Sequence, residues 1–363
     1  MQFDSLEVRR NSLISRLQVA KLSGFLGNNP WVCEANSAYK ESTAPSVTVV
    51  ITLFNYSEYI YECLNSICKS NVSGLPQGFD ILVVDDCSTD NSQNLVKQYL
   101  AESDIPICLI SKAFNTGTSD ARNIGLKLAR APYVFMMDAD NWIYPNCLTA
   151  LYNAIKDSNY AATYGIINKF ENITKEALGF FSCYEWDIRE LVRAPYIDAM
   201  AMFDKEVVIK LGGYSTELIE YGWYGWEDYD LWLKLGMSNY SCKLVAKIVA
   251  SYRCHASSQI HTTRKYMANI AKYFHKKFAR LIKKYDDLDT IFGFLVGTQL
   301  QEMQIDLETT HTELDKVDAQ INLAKSEIYR LKMIIAAMES SKFWQMRKLW
   351  FKFKKIIGSG QNE

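Results

Sequence analysis

The sequence predicts an α/β protein with a mainly parallel sheet flanked by helices, followed by C-terminal helices and a coiled coil. Three observations predict it. β-branched and apolar runs alternate with amphipathic stretches from about residue 45, which is the pattern of strands joined by crossover helices. Two of those runs, Phe79-Asp80-Ile81-Leu82-Val83-Val84 and Tyr133 to Met137, end in acids. Beyond residue 300 the period changes to alternating steps of three and four, which is the signal of a coiled coil.

Residues 1–44 read as a helical extension. Leu6, Leu13, Leu17 and Leu22 stand near helical spacing, and Gly24, Gly27 and Pro30 break the run. After Pro45, Val47 to Ile51 is a continuous β-branched strand, followed by a loop and an amphipathic helix through Leu64, Ile67 and Cys68. The Phe79 run, a helix around Leu95 to Leu100, a short strand at Ile107 to Ile110, a helix from Ser119 to Ala129 and the Tyr133 run follow in order. In such a sheet the ligand crevice lies beyond the carboxyl ends of the strands, so both acid clusters face one crevice. The expected organisation is a catalytic domain at 45–262, a helical segment at 263–299, a coiled coil at 300–340 and a basic aromatic tail at 341–363.

The coiled-coil ladder runs through Leu300, Met303, Leu307, Thr310, Leu314, Val317, Ile321, Ala324, Ile328, Leu331, Ile335 and Met338. It predicts a homo-oligomer, the alternative being a helix folded back on its own domain. The tail interleaves Lys342, Arg347, Lys348, Lys352, Lys354 and Lys355 with Phe343, Trp344, Trp350, Phe351 and Phe353. That suits peripheral contact with a membrane, or packing on the coiled coil.

A formal net charge of -1 over 363 residues argues against nucleic acid as a partner. The nine cysteines are odd in number and form no C-x-x-C pair, so a reducing, cytoplasmic setting is expected, extending at most to the inner face of the cell membrane. No stretch reaches the ~18 apolar residues of a bilayer span.

Asp138-Ala139-Asp140 puts two carboxylates at a strand's end, which suits Mn²⁺ or Mg²⁺: hard cations take oxygen ligands and leave positions open for diphosphate oxygens. Alone, the pair is a weak sign of a metal, because acids at strand ends are common in turns and helix caps. Asp85-Asp86-Cys87-Ser88-Thr89-Asp90 closes an earlier strand in the same way. There an acid can accept from a base or ribose hydroxyl, or Ser88 or Asp90 can cap the next helix. In Gly225-Trp226-Glu227-Asp228-Tyr229-Asp230 three acids sit among aromatics before a helix, as a general base would, or as helix-start acids do. His255 by itself reads as a packed or surface histidine. There is no P-loop and no G-x-G-x-x-G, so phosphate must be handled by metal and side chains.

Together these residues resemble the family 2 glycosyltransferases of the GT-A fold, across roughly 45–260. Thr52-Leu53-Phe54-Asn55 is similar to that family's first-strand exit, with Phe54 in place of the usual Tyr. Asp85 to Asp90 match its aspartate pair, and Asn115, Gly117, Ala121-Arg122-Asn123 and Gly125 match the segment before the D-x-D. Asn141 stands where many members carry a third acid.

The resemblance implies an inverting transferase that takes a nucleotide-diphosphate sugar, expected to be a UDP-sugar, and a saccharide or lipid-linked acceptor in surface polysaccharide or glycan synthesis. It places Thr52, Phe54, Asn55, Glu58, Asp85, Asp86, Asn115, Arg122 and Asp138 against the donor. Metal falls to Asp138, Asp140 and His255, and catalysis to Asp228 as base, with Glu227 beside it. Trp223, Tyr224 and Trp226 form the expected acceptor face, one or two of them as core. The rival readings are a sugar nucleotidyltransferase, which needs a glycine-rich basic loop where this chain has Asn55-Tyr56-Ser57-Glu58, and a catalytically silent scaffold acting through the coiled coil.

Overall fold

The computed structural model describes residues 6–255 and 260–295, and beyond them 317, 320–321, 323–335, 346–347 and 349–351. One compact unit covers residues 1–297 and a second covers 298–363.

The first unit is built on a ten-stranded sheet. Its strands are β1 (Trp31–Ala35), β2 (Val47–Leu53), β3 (Phe79–Asp85), β4 (Ile107–Lys112), β5 (Tyr133–Asp138), β6 (Trp142–Ile143), β7 (Tyr160–Glu171), β8 (Ala177–Phe181), β9 (Met202–Asp204) and β10 (Ser241–Cys254). Their order is β1-β4-β3-β2-β5-β9-β7-β10-β6, with β8 paired to β7. Strands β4, β3, β2 and β5 are parallel, as the sequence predicts. They are buried almost throughout, which is why they read as continuous apolar runs rather than alternating ones. The other half differs. Strand β9 is antiparallel to both β5 and β7, and β6 is antiparallel to β10, so the sheet is mixed.

The N-terminal segment also departs from the all-helical expectation. Helix Leu6–Phe25 is followed by β1, which pairs antiparallel with β4 and extends the sheet edge. Gly27, at φ +77, makes the turn between them.

The register places the site. Strand β2 is central, with Leu53 opposite Asp85 on one side and Thr52 opposite Asp138 on the other. Both acid-ending strands therefore open at the same edge. Helix Thr118–Leu128 packs on β2 through Gly125, where a Cβ would come within 2.2 Å of Val50 Cγ1, so only glycine permits this approach.

In the second unit, residues 323–335 are helical, and Ile328, Leu331 and Ile335 of the apolar ladder are exposed. Most of the remaining ladder and of the basic tail lies outside the described residues.

Candidate active site

A cleft of about 1050 Å³ lies at the carboxyl ends of β2, β3 and β5. Of the residues singled out by sequence, Thr52, Phe54, Asn55, Asp86, Asn115, Arg122, Asp138, Asp140, Trp223, Tyr224, Trp226, Glu227, Asp228 and His255 all line it. Asp85 and Glu58 do not. The Asp85 carboxylate is turned inward, accepting from Ser88 N at 3.1 Å and Gln93 Nε2 at 3.1 Å, and Glu58 is exposed outside the cleft.

Arg122 is the centre of the arrangement. It is 3% exposed, and donates Nη2 to Asp138 Oδ1 at 2.8 Å and Nη1 to Glu227 Oε1 at 2.7 Å. Burial disfavours its charge, but the two acids outweigh that and hold the guanidinium firmly protonated. The neighbouring Asn123 forms a reciprocal pair with Tyr214 N and O, fixing the helix to the Gly213–Tyr214 turn. The D-x-D strand end and the Glu227–Asp228 helix start, 89 positions apart in sequence, are thus bridged by one cation.

The two acids of the helix start are used differently. Glu227 is buried, bonded to Arg122 and accepting from Gly225 N at 2.6 Å. Asp228 accepts from the adjacent Tyr229 N at 2.8 Å. Burial, then the charges of Glu227 and Asp198, push its carboxyl well above the usual carboxylate range, against the pull of Arg122. Once ionised, a carboxylate raised in this way is a stronger proton acceptor than a free one.

Asp86 accepts from the backbone of Thr116 at 3.0 Å and Gly117 at 2.7 Å, and pairs with Lys112 Nζ at 2.6 Å. It shapes the Asn115–Gly117 loop as well as lining the cleft. Burial raises its carboxyl, with Lys112 opposing. Asn55, at φ +56, accepts on Oδ1 from Thr89 N and Asp90 N, tying the β2 and β3 loops together. Asp90 accepts from Ser92 N at the start of the next helix, as a capping acid would.

The predicted metal acids are adjacent, and His255 Nε2 lies 2.9 Å from Asp140 Oδ2. Among the described residues no three acidic, histidine or cysteine side chains are already converged on a cation. The donor set nonetheless fits one. Asp140 Oδ1 is buried without a well-formed hydrogen bond, and among the described residues the neighbouring Tyr56 hydroxyl is the one side chain whose proton it draws on. Burial raises the Asp140 carboxyl, His255 opposes and Asp138 adds to the rise, so the site is short of positive charge. A hard dication supplies what this pair of carboxylates lacks.

The aromatic face is mostly packing. Tyr224 is 2% exposed, and its hydroxyl donates to Thr116 O at 3.2 Å. Trp226 packs edgewise on Tyr229 and Phe274. Trp223 is half-buried and stacks on Tyr266 with an interplanar angle of 14°.

Sequence reasoning missed Asp198, which lines the cleft and whose carboxyl is pushed up to about 7 by burial and then by Asp138. It also missed Lys112, which pairs with Asp86, and the cleft-lining Arg9 and Arg16 of the N-terminal helix. None stands in a recognisable motif. The basic end of β4 was a signal for Lys112 alone.

Comparison with known proteins bears on the fold and the family. Residues 48–212 match the model of glycosyl transferase family 2. Glycosyltransferase GlyA of Streptococcus pneumoniae is 32% identical over 135 residues, 37% of this chain and 18% of that protein. Poly(ribitol-phosphate) beta-N-acetylglucosaminyltransferase TarP of Staphylococcus aureus is 26% identical over 170 residues, 45% of this chain and 50% of that one. The chain spans half or less of the length of the curated relatives it matches. Among solved structures, S. aureus TarS 1–349 with UDP-GlcNAc superimposes with a TM-score of 0.52 at 17% identity, covering 66% of this chain and 71% of that one. The mannosyltransferase PcManGT of Pyrobaculum calidifontis, in complex with GDP-Man and Mn²⁺, does so with a TM-score of 0.51 at 18% identity, covering 93% of each. Residues 48–212 thus carry the match to glycosyl transferase family 2, and the fold is that of the GT-A glycosyltransferases.

Proposed function

We propose that this protein transfers a sugar from a nucleotide-diphosphate donor to an acceptor hydroxyl with inversion at the anomeric carbon. The observation that carries the reading is the buried Arg122 bridge between Asp138 and Glu227, which holds the D-x-D strand end against the Glu227–Asp228 helix start in one cleft. Asp138 and Asp140, with His255 beside them, would hold Mn²⁺ or Mg²⁺, which neutralises the charge that develops on a leaving diphosphate. Asp228 takes the proton of the acceptor hydroxyl as the oxygen attacks the face of the anomeric carbon opposite the diphosphate. Arg122 keeps Glu227 from competing for that proton and fixes the approach of the helix start. Asn55 and Asp86 hold the loops of the donor end, and Trp223 offers a partly open apolar ring to an acceptor sugar.

The acceptor we propose is a saccharide or lipid-linked glycan of the cell surface, including polyol-phosphate polymers of the kind named for several relatives. Exposed Ile328, Leu331 and Ile335 at coiled-coil spacing support self-association, and the basic aromatic tail supports peripheral contact with the inner face of the membrane from the cytoplasm. No helix among the described residues is long and apolar enough to cross a membrane. Sedimentation of the full chain beside Ile328→Asp/Ile335→Asp tests the first, a drop to monomer being expected. Flotation with anionic liposomes beside a chain lacking residues 342–363 tests the second, and equal flotation would refute it.

The central test is nucleotide release from UDP- and GDP-sugars with Mn²⁺, Mg²⁺ or EDTA, run beside Asp140→Ala and Asp228→Ala. Metal-dependent turnover of one donor, lost in both variants, is expected. Neither turnover nor donor binding with any metal would overturn the reading.

A further inference from the structure

The N-terminal helix Leu6–Phe25 lies outside the family match at 48–212, yet it forms part of the cleft wall. Its attachment is specific. Leu13 and Leu17 are buried, Arg10 donates to the carbonyls of Ile219 and Glu220 at 2.8 and 2.7 Å, and Glu7 accepts from the Tyr266 hydroxyl at 2.9 Å. Those anchors fix its rotation. Arg9, Leu13 and Arg16, at spacings of four and three, then fall on one face, and all three line the cleft. Arg16 stands close enough to Cys87, the residue after Asp86, to influence its thiol, which puts it at the donor end.

The charge balance of the cleft gives these arginines a purpose. Seven carboxylates line it among the described residues, against four cationic side chains, Arg9, Arg16, Arg122 and Lys169. Arg122 is held between Asp138 and Glu227, and Lys169 lies over the Phe181 ring on the far strands. Arg16 donates Nε only to Ser12 O of its own helix, and neither it nor Arg9 meets a carboxylate among the described residues. A helix that carries into an acid-rich cleft two guanidinium groups with no carboxylate partner among the described residues is arranged for an anion.

We propose that Arg9 and Arg16 are donor-binding residues: the N-terminal helix is a wall of the nucleotide site, and its two guanidinium groups bind the phosphates of a nucleoside diphosphate. The inference rests on the glycosyltransferase reading and adds to it an element that the shared domain lacks. Because the same helix is anchored to the Ile219–Glu220 turn and Tyr266, it also joins the donor end to the loop that carries Trp223.

The test is equilibrium binding of UDP, GDP, uridine and guanosine, with Mn²⁺, to the full chain and to Arg9→Gln, Arg16→Gln, the double Gln variant and the double Lys variant. The expected result is a Kd for the bound diphosphate raised about tenfold in each single variant and further in the double. Affinity for the nucleoside should be unchanged, and the Lys pair should recover part of the loss. Equal diphosphate affinity in wild type and the double Gln variant would overturn the role of the helix and leave the enzyme reading intact. Parallel loss of nucleoside and diphosphate binding would also overturn it, since the arginines would then act on cleft shape and not on phosphate. A wild-type protein that binds neither diphosphate would overturn both readings.

Discussion

Replacing Arg122 with methionine tests the centre of the site. The side chain is of similar length and suits a buried position, so the substitution removes the charge and its two bonds without opening a large cavity. It leaves Asp138 and Glu227 facing each other with no cation between, in a place where Arg122 itself is 3% exposed. Removing one partner of a buried ion pair costs about 3–5 kcal/mol, chiefly because the abandoned charge stays desolvated. With a urea slope of about 3 kcal/mol/M, the unfolding midpoint should fall by about 1–1.7 M. Urea titration followed by tryptophan fluorescence at pH 7 measures this. Combining Arg122→Met with Glu227→Gln removes one abandoned charge, so the double variant should be more stable than the sum of the single losses predicts, with a coupling of about 1.5 kcal/mol or more. A loss below about 1 kcal/mol, or strict additivity, would refute the claim that this bridge holds the two halves of the site together.

Other consequences follow from the same geometry. Asp198→Asn keeps an oxygen for Met200 N, bonded at 2.9 Å, but removes a carboxyl raised from 3.8 to about 7. The folded state holds that proton where the unfolded chain has lost it, so the native Asp198 is harmless below pH 4 and increasingly destabilising as pH rises through 7. The variant should gain about 2–4 kcal/mol over wild type at pH 8 in EDTA and nothing at pH 4, and equal gains at both would refute the cause. Gly117→Ala places a Cβ 2.0 Å from the Tyr224 ring at φ +93, so Tyr224 and the cleft wall must shift. Thermal unfolding should show a loss of about 2–4 kcal/mol, and an unchanged Tm would contradict the tight packing. Asp228→Asn should lower turnover by about 10²–10⁴-fold while nucleotide affinity changes less than about threefold. In the wild type, activity should rise with pH along a limb above the usual carboxylate range, because burial and Glu227 raise Asp228 and only its deprotonated form accepts the hydroxyl proton. Absence of that limb would count against Asp228 as base.

The parallel half of the sheet was legible because its strands are buried on both faces. Val47–Leu53 and Phe79–Asp85 therefore appear as unbroken apolar runs, and their carboxyl ends predict where the acids meet. The mixed half, where β9 runs antiparallel between β5 and β7 while β7 and β10 are parallel, was not. Met202–Asp204 is three residues long, and its place between β5 and β7 depends on long connections rather than on any local period. Strand Trp31–Ala35 was hidden in the extension because it is a short edge strand with a largely exposed burial pattern.

Which residue types can do chemistry is readable along the chain. The D-x-D at a strand's end, the Glu-Asp pair at a helix start and the small residues around Arg122 are local patterns, and local patterns are written in consecutive residues. Tertiary structure alone decided how those groups divide the work. It turned Asp85 away from the cleft and Asp86 toward it, bound Glu227 to Arg122 while leaving Asp228 beside the cleft, and brought Asp198, Arg9 and Arg16 to the same space. The physical reason is that charge balance and burial depend on which distant segments share a volume. That follows from strand order and helix rotation over separations of a hundred residues or more, which no short-range periodicity encodes.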